Sequence, residues 1–361
     1  MKNLKMVLVL LVCFISIIGI LRLNPISFIS TNINNEENYV NVKDYGAKGD
    51  GKTDDTKAIQ KALDTGMHIV VPSGTYIVGD LIMKKGQILD GLSSFTYSWG
   101  REYKKAILKA RPEAEYIIKD AKGCSIRNIH LDGNNRLSNG VRGDYYEDEW
   151  GDSDCNFDIY NCRITNCNYG VYNPRCGSVI QKCNIDNNNK GVYRATDSRI
   201  LNNVIDNNII GLDLYDSNDN QISNNKIEWN MQDGIKIDKG VYNLITSNTI
   251  DRNGGVGINL NEVYNGTITG NVVRRNLDYN IVFNGVNAYS ITGNNFVSAN
   301  TEDDQLGINA PEYHMYLKSV GNTSIISNIF EGGIYIEEKY DWRGEQLIIE
   351  NNVGSGITNN N

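Results

Sequence analysis

The chain has 361 residues, 35 Lys and Arg against 43 Asp and Glu, a formal net charge of −8 and 40% hydrophobic residues, enough for a sizeable core in one large domain or two modest ones. An acidic balance without basic runs excludes nucleic acid as an expected partner, and five prolines exclude a Pro-rich linker protein or collagen. Its 51 asparagines disfavour helix and favour turns and left-handed backbone, so a mostly helical protein is excluded and many turns are required.

In chain order, Lys2 and Lys5 precede an unbroken apolar run from Met6 to Leu21, closed by Arg22. This is the charged and hydrophobic sequence of an export signal. At sixteen residues it is short of the ~20 needed for a full span, and Arg22-Leu23-Asn24-Pro25 is a poor cleavage site. Residues 1–30 are therefore read as an export signal or an uncleaved signal anchor, and 31–40 as a linker. The two lysines favour the N-terminus inside and the rest of the chain outside. The expected location is secreted, or anchored at the outer face of the membrane through this segment alone. Cys13 in Leu-Leu-Val-Cys is a weak lipoprotein signal.

Residues 41–115 are expected to hold an N-terminal cap and the first coils. Thr53 and Asp54 are N-cap candidates, and Ala58, Ile59, Ala62 and Leu63 form one helical face. Val70 to Tyr76 reads as a strand and turn. A helix here would cover an otherwise unpaired sheet edge.

From residue 116 a repeat dominates. Ser223-Asn224-Asn225-Lys226-Ile227, Thr246-Ser247-Asn248-Thr249-Ile250 and Thr269-Gly270-Asn271-Val272-Val273 are one motif. Its anchor column falls at Asn128, Cys162, Cys183, Asn203, Asn225, Asn248, Asn271, Asn294, Asn328 and Asn352, at intervals of 34, 21, 20, 22, 23, 23, 23, 34 and 24 residues. A second column follows at Cys167, Asn188, Asn208, Asn230, Asn253 and Asn276. Within each unit the period is two, as in Ile235-Lys236-Ile237-Asp238, which means strands with one buried face. Units this short cannot bury that face alone, but stacked in register they enclose an apolar cylinder. The expected fold is all-β, a right-handed parallel β-helix of ten or more coils, with Asn ladders at its turns. The two long intervals are read as loops, roughly Gly143–Asp154 and Asn300–Tyr313.

Cys124, Cys155, Cys162, Cys167, Cys176 and Cys183 crowd into one region, an even number that permits disulfides; their spacing does not suit zinc. Cys162 and Cys183 occupy consecutive rungs, where either a bridge or two free thiols would fit. Asn265-Gly-Thr and Asn322-Thr-Ser are glycan acceptors if the source is eukaryotic.

The stretch Tyr45-Gly-Ala-Lys-Gly-Asp-Gly-Lys-Thr-Asp-Asp-Thr-Lys-Ala-Ile-Gln60, followed by Pro72-Ser-Gly-Thr-Tyr76, resembles the opening of the pectate lyase superfamily, with its rhamnogalacturonase-like and epimerase-like enzymes and some phage tailspikes. The resemblance spans about residues 40–361. It implies a right-handed β-helix acting on polysaccharide, by lysis, hydrolysis, epimerisation or binding alone. Of the polygalacturonase-type motifs only Gln232-Asp233-Gly234-Ile235 is echoed, and Gly255-Val256-Gly257 follows with no histidine. Leu131-Asp132-Gly133-Asn134 is similar to mannuronan epimerases. Where their Asp-Pro-His is expected, this chain has Tyr172-Asn173-Pro174-Arg175.

Stacking the coils aligns the outward residues after the turn glycine as Arg142, Tyr172, Tyr193, Asp213, Lys236, Asn259, Val282, Tyr316 and Tyr335. Tyr215, Asp238, Asn261 and Asn284 lie two residues further on. Asp213 and Lys236 are expected cross-coil neighbours with Asp238 diagonal, and Arg194 and Arg175 lie one or two coils below. β-Elimination on a uronate needs its carboxylate neutralised and a base for the C5 proton. Lys236, Asp213, Asp238 and Arg194 are the catalytic candidates, with Lys236 as base if its pKa is lowered, Arg194 on the uronate, and Tyr193 or Tyr215 as proton donor. Asp213 and Asp238 would be the acid and base of a hydrolase. Tyr172, Tyr193, Tyr215, Asn259 and Arg175 are the substrate-binding candidates, the tyrosines by stacking on sugar rings. Ca²⁺ is the one cofactor the reading admits, with the acidic loop Asp144–Asp154 as its place, although EF-hand spacing is missing. The expected partner is polysaccharide. The leading activity is a lyase on an acidic polysaccharide, then a hydrolase or epimerase, then a non-catalytic glycan-binding surface protein.

Overall fold

A computed structural model of the chain describes residues 39–92, 105–143, 156–297, 313–339, 346–354 and 356–359. The N-terminal segment expected to direct export, the loop at 144–155 expected to be the place for Ca²⁺, and most of the second loop lie outside the described residues. From Tyr39 on, the chain is one compact unit.

Each coil lays down three short strands, one in each of three sheets, and neighbouring strands among the described residues pair in parallel. In one coil these are Gln221–Ser223, Lys226–Glu228 and Ile235–Val241, before Leu244–Thr246 opens the next. The first and second sheets hold 13 strands each among the described residues, and the third holds 12. The result is the expected right-handed parallel β-helix. Period-two alternation sets the register: Ile222 pairs with Ile245, Ile227 with Ile250 and Ile235 with Ile258. All of these point inward and are fully buried, so the core is a stack of isoleucine, valine and leucine rungs.

The corners explain the asparagines. In this coil the strands are separated by Asn224, Trp229 and Tyr242, each in the left-handed region at φ 57, 57 and 58°. Each bends the chain from one sheet toward the next and is followed by an inward Asn: Asn225, Asn230 and Asn243, all buried. Asn225 is typical. Its amide donates to Ile200 O of the coil below at 2.8 Å and to Asn248 Oδ1 above at 3.1 Å, while Asn248 Oδ1 also takes the Asn225 backbone N–H at 2.9 Å. A buried corner thus loses no hydrogen bond.

Two details differ from the sequence reading, and the choice it left open at Cys162 and Cys183 is settled. The first rung of the anchor column is Ile129; Asn128 is the left-handed residue before it (φ 56°), and its side chain accepts from Asn161. A third ladder, Ser198–Asn220–Asn243, fills the remaining corner. Cys162 and Cys183 are free and buried, as are Cys124 and Cys167, whereas Cys176 is disulfide-bonded.

The helix forms as expected but begins one residue late, over Thr56–Thr65, with Asp55 as N-cap. Thr53 belongs to the strand Asp50–Asp54, and Asp54 accepts from the Thr56 N–H at 3.0 Å. Buried Asp55 instead takes the N–H groups of Lys48 and Gly49 at 2.6 and 2.9 Å, tying the glycine-rich loop to the helix start. Ile59, Ala62 and Leu63 are buried against the first coils. Gln87 closes the other end by donating to Leu63 O and Gly66 O.

Candidate functional site

The third sheet carries the longest strands, and its outer face presents side chains in columns. The backbone register is the one expected: Arg142–Tyr172–Tyr193–Asp213–Lys236–Asn259–Val282–Tyr316–Tyr335 form one outward column. Tyr215, Asp238, Asn261 and Asn284 form the second. A glycine near the start of each of these strands lets neighbouring coils stack closely; a Cβ at Gly211 would lie 2.5 Å from Gly234 O. Corner residues such as Asp233, Val256 and Asp278 rim this face.

The charge pairing differs from the register-based expectation. Asp213, although beside Lys236 in the ladder, pairs with Lys190 one coil below, Nζ to Oδ2 2.5 Å. Lys236 pairs along its own strand with Asp238 at 2.8 Å. The Asp238 hydrogen bond, against some burial and with Asp213 and Asp233 nearby, raises the Lys236 pKa above its ordinary value. A raised pKa is the opposite of the lowering that a base role for Lys236 requires, and it favours a fixed ammonium.

The remaining polar groups form one chain of bonds. Asn261 donates to Asp238 Oδ1 at 2.8 Å and to Asn259 Oδ1 at 3.1 Å. Asn259 donates to Asp233 Oδ2 at 2.9 Å, and Asp233 Oδ1 takes the Val256 N–H at 2.9 Å. Asp213 itself is only 6% exposed.

Below this network sits an aromatic cluster. Tyr172 and Tyr193, expected from sequence, are joined by Tyr169, whose ring lies 5.5 Å from Tyr172 and 4.7 Å from Tyr193. Lys190 sits 3.9 Å over the Tyr193 ring, so one ammonium serves both the tyrosine and Asp213. Arg194, left-handed at φ 58°, extends from the strand end with its guanidinium 5.8 Å from the Tyr215 ring. Arg175 lies in the turn closed by Ser178 N–H to Arg175 O, beyond the sheet and off the ladder. The face thus unites every candidate except Arg175.

Sequence reasoning missed Lys190, Tyr169 and Asp233. All three occupy the outward position three residues before the ladder column, a signal that the same alignment would have revealed. No histidine reaches the face among the described residues: burial holds His130 and His314 neutral, with pKa pulled down to about 4.

Residues 39–122 match the family described as rhamnogalacturonase A/epimerase, pectate lyase-like, and residues 108–271 match the periplasmic copper-binding protein (NosD) family. The described residues do not fit a copper site, since no group of three or more His, Cys, Asp or Glu is placed to hold a metal ion. Among curated proteins, the preneck appendage protein of Bacillus phage PZA is 37% identical over 114 residues, 29% of this chain and 12% of that one. Alginate lyase 7 of Azotobacter vinelandii is 35% identical over 124 residues, 29% of this chain and 14% of its own. The chain therefore spans only about an eighth of the relatives it matches. Among solved structures, the Dettilon tailspike protein has the same fold, with a TM-score of 0.72 at 19% identity over 89% of this chain and 68% of that one.

Proposed function

We propose that this chain, which belongs to the pectate-lyase-like β-helix superfamily, binds an acidic polysaccharide on the outer face of its third sheet and cleaves it by β-elimination. The observation that carries this is one continuous outward column in which Tyr172, Tyr193, the Asp213 carboxylate, the Lys236 ammonium and Asn259 follow at the coil spacing, the chemistry a polymer of uronic acids requires. The uronate carboxylate is neutralised by Lys236 and by Lys190, which leaves Asp213 to meet it. Asp213 then takes the C5 proton, the C4–O bond breaks as the C4=C5 double bond forms, and Tyr193 or Tyr215 returns a proton to the leaving oxygen. Arg194, beside Tyr215, adds positive charge at the edge of the site. Because the whole chain carries −8, this patch must supply the attraction locally. Export to the outer face is part of the reading, from Lys2, Lys5 and the apolar run.

A second reading is glycan binding without cleavage. It is favoured by the pairing itself: Asp213, Asp238 and Asp233 each already hold a donor. A panel of uronans separates the two. Lyase action creates an unsaturated end with new ultraviolet absorbance, and Asp213→Asn or Lys236→Ala should lower that rate by roughly 100-fold or more. Unchanged rates in both variants would remove this site. Reducing ends without absorbance would mean hydrolysis, and binding without product would leave the non-catalytic reading.

A further inference from the structure

The tyrosine cluster described above has a twin. Tyr169 and Tyr172 stand three residues apart on one strand, with Tyr193 on the next rung, and the three rings stack together. Tyr313 and Tyr316 stand three residues apart on a later strand, with Tyr335 on the next rung. Here Tyr335 lies 5.8 Å from Tyr316 and 5.3 Å from Tyr313. Both triads occupy the same outward columns of the same sheet. The second opens into a groove of about 630 Å³ with Val282 as floor and Val256, Asp278 and Tyr279 as rim.

From Tyr172 to Tyr316 is six rungs, through Tyr193, Asp213, Lys236, Asn259 and Val282. At ~4.8 Å per rung the triads are ~29 Å apart, with the polar network between them. Packed rings held by strands are rigid and lose little entropy when a sugar face stacks on them. A pyranose is roughly as long as one rung, so a chain on the order of six sugars spans the distance.

We propose that the two triads are the two anchors of one saccharide chain lying parallel to the cylinder axis, so that the face measures polymer length. This rests on the glycan reading above. Two anchors on one rigid support make the second contact intramolecular, and affinity then rises steeply once the ligand reaches both.

The test is calorimetric titration of the full chain with oligogalacturonates and oligomannuronates of graded length. Affinity should step up by about 100-fold when the oligomer becomes long enough to span both triads. The double variant Tyr316→Ala, Tyr335→Ala should lose the step and bind short oligomers at one site per chain instead of two, the retained site also showing that it is folded. Tyr335→Leu, which keeps an apolar side chain on the strand, should reduce the step if the double variant fails to fold. Binding that rises smoothly with length, or variants that weaken short and long oligomers alike, would overturn the two-anchor proposal alone. No binding at any length by the unaltered chain would overturn the glycan reading and this proposal together.

Discussion

Among the described residues, one member of a buried row of carboxylates in the second sheet has no ion pair of its own. Asp186, Asp206, Glu228 and Asp251 occupy consecutive rungs of the second sheet, all nearly inaccessible to solvent. Arg163 clasps Asp186 through two bonds of 2.9 and 2.6 Å, Lys226 holds Glu228 at 2.6 Å, and Arg252, Arg274 and Arg275 surround Asp251. Asp206 has the Asn207 amide at 3.1 Å, while its Oδ1 is buried without a hydrogen bond. Burial first, then the charges of Asp186 and Glu228, push its pKa up to about 7. The folded chain therefore binds a proton here that the unfolded chain releases near pH 4. The contribution of Asp206 to stability is greatest below that pH, falls as pH rises to 7, and stays low above it. Asp206→Asn should abolish this dependence and stabilise the fold at pH 8 by on the order of 2 kcal/mol, read from denaturant midpoints at pH 5 and pH 8. An equal pH slope in both proteins would show that Asp206 finds a donor in solution.

At the scale of a corner, the ladder asparagine is the unit of stability. Asn248 takes two N–H groups from Asn225 and gives its own two to Ile222 O and Asn271 Oδ1, at 2.9 to 3.1 Å, all out of water. Asn248→Ala should cost ~3 kcal/mol or more, because it strands the buried groups of the neighbouring coils. Asn284→Ala, on the exposed face, should change stability by less than ~0.5 kcal/mol. Thermal melts of the two variants compare them directly. This division explains what the sequence made legible. Where one residue type repeats at one interval, as at Asn203, Asn225, Asn248 and Asn271, geometry and chemistry coincide and the corner can be read. The third ladder escaped because its column changes from Ser198 to Asn220 and Asn243 and then to Gly266. The site was half legible for a different reason. Register places Asp213 between Tyr193 and Lys236, whereas the ammonium it holds, Lys190, stands three residues before Tyr193 and reaches it only through side-chain torsions.

For the molecule as a whole, a linear repeat means each coil contacts its neighbours alone. Removing Asn248 to Gly270, one complete coil of 23 residues, joins a matching corner and keeps every later rung inward. The shortened chain should fold, with β-sheet circular dichroism retained and scattering length reduced by ~4.8 Å. Removing one residue fewer leaves an extra residue in the tight corner that carries the asparagine ladder, so that product should melt at a lower temperature than the exact deletion. The ladders that stack the coils also give the rod a direction of weakness. Their hydrogen bonds run along the cylinder axis, while the covalent backbone runs around it. A load across the rod is met by the covalent chain, whereas axial tension is carried by hydrogen bonds in series, from one coil to the next. Under such a pull the molecule should yield a coil at a time, lengthening in increments while the remaining coils keep their shape.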